Sequence, residues 1–408
     1  MNDIKLLPIR HNEKEIMMFF TESVIFASGG RSNYRIPSVV ADKHGNVYAF
    51  CNDRKDTLMD HAPETALVCR VKHKGNDWGG ITALVGVPGW CCMIGSALYD
   101  DISDTVFCSV NKKPVARDEF RRYSEEEKRK LAEEAVRKEK EAGVEAGHHL
   151  LSTRDQGKSW TEKRLDVIPA EFTNIDGDKV LLGGDCHGSA HGIRLRRGTH
   201  AGRLICPSRT QAGEYCDWDG LRRYGYNNAV FSDDRGETWR ASQPVQRSTG
   251  EGTLIENGDG SLTYNSRAFH GDQKRYLATS SDGGESWGEF RADEFLLEPK
   301  GSGCNASLLR VDINDLADTA CLPDGAESLT LFADPRSETR ENMTVCVSFD
   351  SGKSWQAAKR VYAGPCAYSS LDYSAVDGHF YLLYEKGGSD PYEYGVSMAE
   401  FDLEWLLN

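Results

Sequence analysis

The stretch SDDRGETW, residues 232–239, decides how this chain is read. It recurs in altered form as TRDQGKSW at 153–160, SSDGGESW at 280–287 and SFDSGKSW at 348–355. A degenerate copy, VKHKGNDW at 71–78, keeps only Gly75 and Trp78. The shared pattern is S/T-x-D-x-G-x-S/T-W, and each position has a task in a tight turn. The Asp carboxylate accepts from nearby backbone N–H groups, the Gly takes a positive φ, and the hydroxyls bond locally. The Trp buries a large apolar surface and leaves one N–H to satisfy. Strand-like runs such as YNNAVF and NMTVCV precede the copies. Each box is therefore read as the turn of a hairpin in a small antiparallel sheet.

Trp239 and Trp287 stand 48 residues apart, the length of one four-stranded propeller blade with its connections. The gaps of 82 residues from Trp78 to Trp160 and 79 from Trp160 to Trp239 call for insertions or a blade without a box. The expectation is an all-β chain, a six-bladed β-propeller of four-stranded antiparallel blades over residues 23–408, preceded by an N-terminal segment, 1–22. The boxes spend their side chains on turn and packing duties, so function has to come from elsewhere.

One segment breaks the β pattern. SEEEKRKLAEEAVRKEKEAG, residues 124–143, reads as a charged helix inserted in a blade loop near 117–147. Ser124 and Glu127 suit a capping box and Gly143 a stop. Glu126/Lys130, Glu133/Arg137 and Glu134/Lys138 form i,i+4 pairs. Only Leu131, Ala135 and Val136 are apolar enough to note, so a solvated helix is preferred over a substrate lid or a partner-binding helix.

The net charge of −14 argues against nucleic acid and anionic membranes as partners, and an anionic substrate would need a local arginine cluster. The 12 cysteines are irregularly spaced, with no C-x-x-C. They read as buried reduced thiols rather than a disulfide framework or a zinc site. No metal or organic cofactor is expected. The uncharged run at 78–99 is broken by Gly86, Pro88, Gly89 and Gly95, so it reads as two buried strands around a Gly-Pro-Gly turn rather than a membrane span. The first twenty residues carry charges throughout and no signal-peptide core, which gives a cytoplasmic expectation. Oligomeric state is not encoded in any motif.

The residues that could carry chemistry are scattered. Arg35 stands in YRIPSVV, Arg54 and Asp60 in CNDRKDTLMDH, and Glu251 and Arg267 in STGEGTLIENGDGSLTYNSRAF. Arg340 stands in SETRENMTV, Tyr368 in CAYSSLDY and Glu385 in LLYEKGG. An R-I-P motif followed by four boxes, with Arg, Glu and Tyr in this order, resembles the exo-α-sialidases of glycoside hydrolase family 33. The resemblance runs from about residue 23 to the C-terminus. It implies that Arg35, Arg267 and Arg340 hold a substrate carboxylate, Asp60 is the acid/base, Tyr368 the nucleophile and Glu251 its partner. It further implies that Glu385 braces Arg35 and that Arg54 lies on the side of the sugar's 4-hydroxyl.

The chemistry accounts for these residue types. A sialic acid carries its carboxylate on the anomeric carbon, where planar guanidiniums can bind it bidentately. A carboxylate nucleophile would be repelled there by about 4 kcal/mol at ~4 Å and an effective dielectric near 20. A neutral phenol avoids that cost, and sialidases use a Tyr nucleophile. The implied function is a retaining exo-α-sialidase acting on terminal sialic acids of a glycan or oligosaccharide. The alternatives are the same mechanism on a deaminated sialic acid or a 3-deoxy-octulosonic acid, and a boxed propeller that only binds glycan. Within the motifs, Asp53 and Asp56 compete with Asp60, Glu256 with Glu251, and Tyr373 with Tyr368. Ile94 stands where the family often has a polar residue near the acetamido group. His187 and His191 sit in a segment, CHGSAHG, that resembles a pocket wall.

Overall fold

The computed structural model describes residues 18–60, 62, 64–114, 125–184, 191–213 and 218–408. The chain is all-β, and among the described residues the strands group into five hydrogen-bonded sheets. Neighbours within a sheet are mostly consecutive in sequence and antiparallel, the pattern that short turns allow.

The largest sheet begins with Ser32–Ala41, Val47–Lys55 and Thr65–Lys72 and continues through Trp90–Asp100, Thr105–Pro114, Gly147–Thr153 and Thr161–Arg164. Its two halves meet at a single parallel pair, Thr65 with Cys91. A second sheet centres on Leu204–Gln211 and Gly225–Ser232, and a third runs Thr249–Glu256, Leu262–Ala268, Lys274–Ser280, Arg291–Leu297. Ala170–Thr173 and Lys179–Leu182 pair alone. In the last sheet the long strand Gln356–Ser374 pairs with Glu341–Ser348 along its first half and with His379–Lys386 along its second. Phe20–Ala27 then pairs with Gly395–Phe401, so the two ends of the described chain lock together. That pairing starts at Phe20, inside the stretch 1–22 that the sequence sets apart.

All four boxes are hairpin turns. In each, the leading hydroxyl donates to the Asp at 2.7 to 2.8 Å and accepts from the Gly N–H at 2.7 to 3.0 Å. The same Asp accepts the backbone N–H of the second hydroxyl residue at 2.8 to 3.0 Å. The box Gly has φ between 80° and 88°. The residue before it is also left-handed, and in three copies it is not Gly: Gln156, Arg235 and Ser351 lie at φ 60° to 61°. The dense Asp bonding holds a conformation that these residues rarely adopt. The Trp rings then pack edge-on against aromatics, Trp160 on Phe50, Trp287 on Tyr264 and Trp355 on Phe332. Trp239 is buried among Leu98, Phe107 and Leu204, and so bridges two sheets.

The helix spans Glu125–Ala142 between the strands Thr105–Pro114 and Gly147–Thr153. Gly143 ends it at φ 62°. Ser124 lies outside the described residues, as do the side chains of Glu127, Leu131, Ala135 and Val136. Glu126–Lys130 and Glu134–Lys138 pair at 2.9 and 3.1 Å. Arg137 does not pair with Glu133 as the spacing suggests. It reaches Glu141 at 2.9 Å and Glu134 at 3.9 Å, because both carboxylates share its face. The run 78–99 also differs from expectation. Trp90–Asp100 is buried, but Thr82–Val85 is largely exposed and pairs with Thr65–Lys72, so the Gly-Pro-Gly turn does not close a hairpin. Among the described residues no helix is long and apolar enough to cross a membrane.

Candidate active site

Arg35 begins the site. It lies in Ser32–Ala41, whose register with the next strand slips between Arg35 and Ser38. Ile36 sits at φ 61° within this bulge, a strained state for a β-branched residue. The bulge turns the Ile36 N–H towards Glu385, which accepts it at 2.9 Å. The Glu385 carboxylate also takes Arg35 Nε at 3.0 Å and the Tyr368 N–H at 3.1 Å. One buried carboxylate thus ties an arginine, a strained turn and the backbone of a tyrosine from another strand. Burial opposes the charge on Arg35, but Glu385 together with Tyr392 and Tyr368 more than offsets it and keeps the guanidinium protonated.

Tyr368 is the centre of the site. Its hydroxyl donates to Glu251 Oε1 at 2.6 Å and accepts from Arg267 Nη1 at 2.7 Å. Arg267 Nη1 also bonds to the second Glu251 oxygen, and its Nε meets the Ser302 carbonyl. The Cζ atoms of Arg35, Arg340 and Arg267 lie 5.5, 5.6 and 5.8 Å from the Tyr368 ring centroid. These groups come from three stretches of chain and gather around one ring. Burial pushes the phenol above its ordinary range, and Arg267 and Arg340 pull against that. Tyr368 is therefore neutral at rest.

Arg340 differs from its two neighbours. Its Nη1 donates to the Tyr392 hydroxyl at 2.7 Å and its Nη2 to the Gly303 carbonyl at 3.0 Å. Both partners are neutral, and among the described residues Arg340 makes no ion pair. Two of the three guanidiniums thus pair with a buried carboxylate, Arg35 with Glu385 and Arg267 with Glu251, and Arg340 does not.

Arg54 is fully buried beside Arg35, with its Nη2 2.8 Å from Asp60 Oδ1 and its Nη1 donating to the Leu58 carbonyl at 2.7 Å. The same Asp60 oxygen is 3.9 Å from Arg35 Nη1. Asp60 is 65% exposed at the side chain, on a loop open to solvent. Its rivals are engaged elsewhere: Asp56 pairs with Arg31 and Asp53 with Lys55. Glu256 accepts the N–H groups of Arg196 and Arg197, and Tyr373 packs on Phe380. All eight residues nominated from the sequence are thus linked to one another by direct contacts. His187 lies outside the described residues; His191 is buried. Ile94 is fully buried in the core.

Sequence reading missed what lies behind the arginines. Ser302, Gly303 and Cys304 present successive carbonyls to Arg267, Arg340 and Arg275. Gly303 has φ 66°, and a Cβ there would collide with the Glu298 carboxylate. Tyr392 was missed as well, because a tyrosine in a Gly- and Asp-rich loop carries no motif.

The fold and site define a β protein of the boxed-repeat class with a buried arginine cluster around a phenol and a carboxylate. The family model for the BNR repeat-like domain matches residues 132–382, and the chain belongs to that family. It is 28% identical over 402 residues to the sialidase of Micromonospora viridifaciens, covering 95% of this chain and 54% of that protein. It is 27% identical over 406 residues to the exo-alpha-sialidase of Aspergillus fumigatus, covering 93% and 86%. The chain therefore spans about half of the bacterial relative and most of the fungal one. Among solved structures it shares its fold with the intramolecular trans-sialidase of Ruminococcus gnavus, at TM-score 0.67, 18% identity and 94% and 98% coverage. It also shares its fold with the NanB sialidase of Streptococcus pneumoniae, at TM-score 0.67, 16% identity and 94% and 71% coverage.

Proposed function

We propose that this chain is a retaining exo-α-sialidase that removes terminal α-linked sialic acids from glycoconjugates. The observation that carries the reading is the cluster of three guanidiniums around the Tyr368 ring, one of them with only neutral partners. Such a cluster suits a ligand whose carboxylate sits on the reacting carbon. Arg35, Arg267 and Arg340 bind that carboxylate and hold the anomeric carbon over the phenol. Glu251 takes the Tyr368 proton as the oxygen attacks, while Arg267 stabilises the growing negative charge. Asp60, exposed and held by Arg54, protonates the departing glycosidic oxygen. In the second half-reaction Asp60 takes a proton from water, which attacks the tyrosyl-bound carbon and breaks its bond to the Tyr368 oxygen. Glu251 returns its proton to that oxygen, and the sugar leaves with retained configuration. The sialidase names of the curated relatives support the same reading.

The architecture fits six four-stranded blades. Each of the two large sheets divides into two antiparallel groups, one at the Thr65–Cys91 seam and the other within Gln356–Ser374, and two further sheets supply one blade each. The inserted helix then projects from the second blade.

The test is incubation with a 4-methylumbelliferyl α-sialoside, with proton NMR of the first product. Release of the α-anomer supports the proposal. Binding without release from pH 4 to 8 would leave a glycan-binding protein. Parallel assays on deaminated and 3-deoxy-octulosonic glycosides separate the sugar alternatives.

A further inference from the structure

Tyr392 stands between two of the three arginines. Its ring lies 4.0 Å from Arg35 Cζ, and its hydroxyl accepts from Arg340 Nη1 at 2.7 Å. The loop that carries it is short and tied down. The Tyr392 N–H donates to Asp390 Oδ1 at 2.8 Å, the Gly395 N–H returns to its carbonyl at 3.2 Å, and the ring packs against the core beside the site.

The choice of a phenol here has a physical consequence. An arginine needs acceptors to hold one rotamer, because its side chain carries about 2 kcal/mol of rotamer entropy. A carboxylate would fix it but cancel its charge, as Glu385 and Glu251 do for Arg35 and Arg267. A phenol fixes it and leaves the charge intact. Burial raises the Tyr392 pKa above its ordinary value, so the acceptor stays neutral. The flat ring over Arg35 adds a cation–π contact that helps keep a second guanidinium, the one paired with Glu385, in place.

We propose that Tyr392 is a positioning residue that orients Arg340 and Arg35 for a carboxylate ligand while leaving the charge of Arg340 intact. The proposal rests on the sialidase reading for the identity of that ligand. Its geometry would serve any sugar acid bound at the three arginines.

The test compares wild type with Tyr392→Phe and Tyr392→Leu, by calorimetric binding of N-acetylneuraminic acid and by kinetics on the aryl sialoside. Loss of the hydroxyl alone should weaken binding and raise KM about tenfold, the weight of one hydrogen bond to a charged group, with kcat changed less than about twofold. The Leu variant, lacking the π face too, should lose more. Unchanged or tighter binding by the Phe variant overturns the proposal. Phe keeps the ring that packs on the core, so it stays informative if Leu does not fold. Wild type that binds but does not turn over refutes the sialidase reading and leaves Tyr392 to be judged by the binding arm. Wild type that does neither refutes both.

Discussion

The Tyr368 hydroxyl donates to Glu251 across 2.6 Å, although 117 residues separate the two in the chain. The pair is useful only because Arg267 bonds to both members. A phenol can pass its proton to the carboxylate while the same guanidinium faces the charge that develops on its oxygen. Tyr368→Phe should keep the fold and lower kcat a hundredfold or more, in the range associated with loss of proton-transfer chemistry. The fluorogenic assay beside a thermal melt checks it. A kcat within threefold of wild type would remove Tyr368 from the mechanism.

Arg267 and Arg340 should separate in their effect on stability. Arg267→Met takes the guanidinium away from the buried Glu251 carboxylate, and breaking a buried pair costs about 3–5 kcal/mol. Arg340→Ala removes no ion pair among the described residues, so its stability should change far less while kcat/KM drops a hundredfold or more. Urea midpoints and steady-state kinetics on both variants measure this. Equal destabilisation would contradict this arrangement of charges.

Gly303→Ala should disable the site from behind. Its φ of 66° and the closeness of the Glu298 carboxylate leave no place for a methyl group. A left-handed non-Gly residue costs about 1–3 kcal/mol, and the displaced carbonyl would release Arg340. Lower stability together with a raised KM is the expected outcome, read by denaturant titration and kinetics. A variant with wild-type KM would show that the 302–304 turn does not place the arginines.

The boxes should make the protein acid-sensitive. Hydrogen bonds from Ser159 hold Asp155 at a pKa of about 2, and the Asp234, Asp282 and Asp350 carboxyls are also lowered despite partial burial. A depressed folded-state pKa adds stability above the unfolded value near 3.9, and that stability is lost as pH falls through the folded value. The melting temperature should therefore drop between about pH 4 and pH 2. The drop should be shallower in Asp155→Asn/Asp350→Asn, whose side chains do not titrate. Parallel slopes would mean that the acid response comes from other carboxylates.

The boxes were legible because their bonds are local. Ser232, Asp234, Gly236 and Thr238 satisfy one another within seven residues, so hairpin and sheet class follow from a short string. Arg35, Arg267, Arg340 and Tyr368 could be nominated from the motifs around them, but their meeting could not. It depends on how sheets far apart in the chain pack, and no spacing encodes that. Tyr392 and the carbonyls of Ser302 and Gly303 left still less trace, since a loop tyrosine or a backbone oxygen looks alike everywhere in a sequence. The amino-acid order alone determined the repeated turns, the β class and the residues able to bind an anion, because each depends on near neighbours. The tertiary structure alone decided which guanidiniums are neutralised and which remains charged. That property belongs to contacts whose partners stand anywhere from 16 residues apart, as Arg267 and Glu251 do, to 350, as Arg35 and Glu385 do, and Coulomb forces respond to distance in space rather than position along a chain.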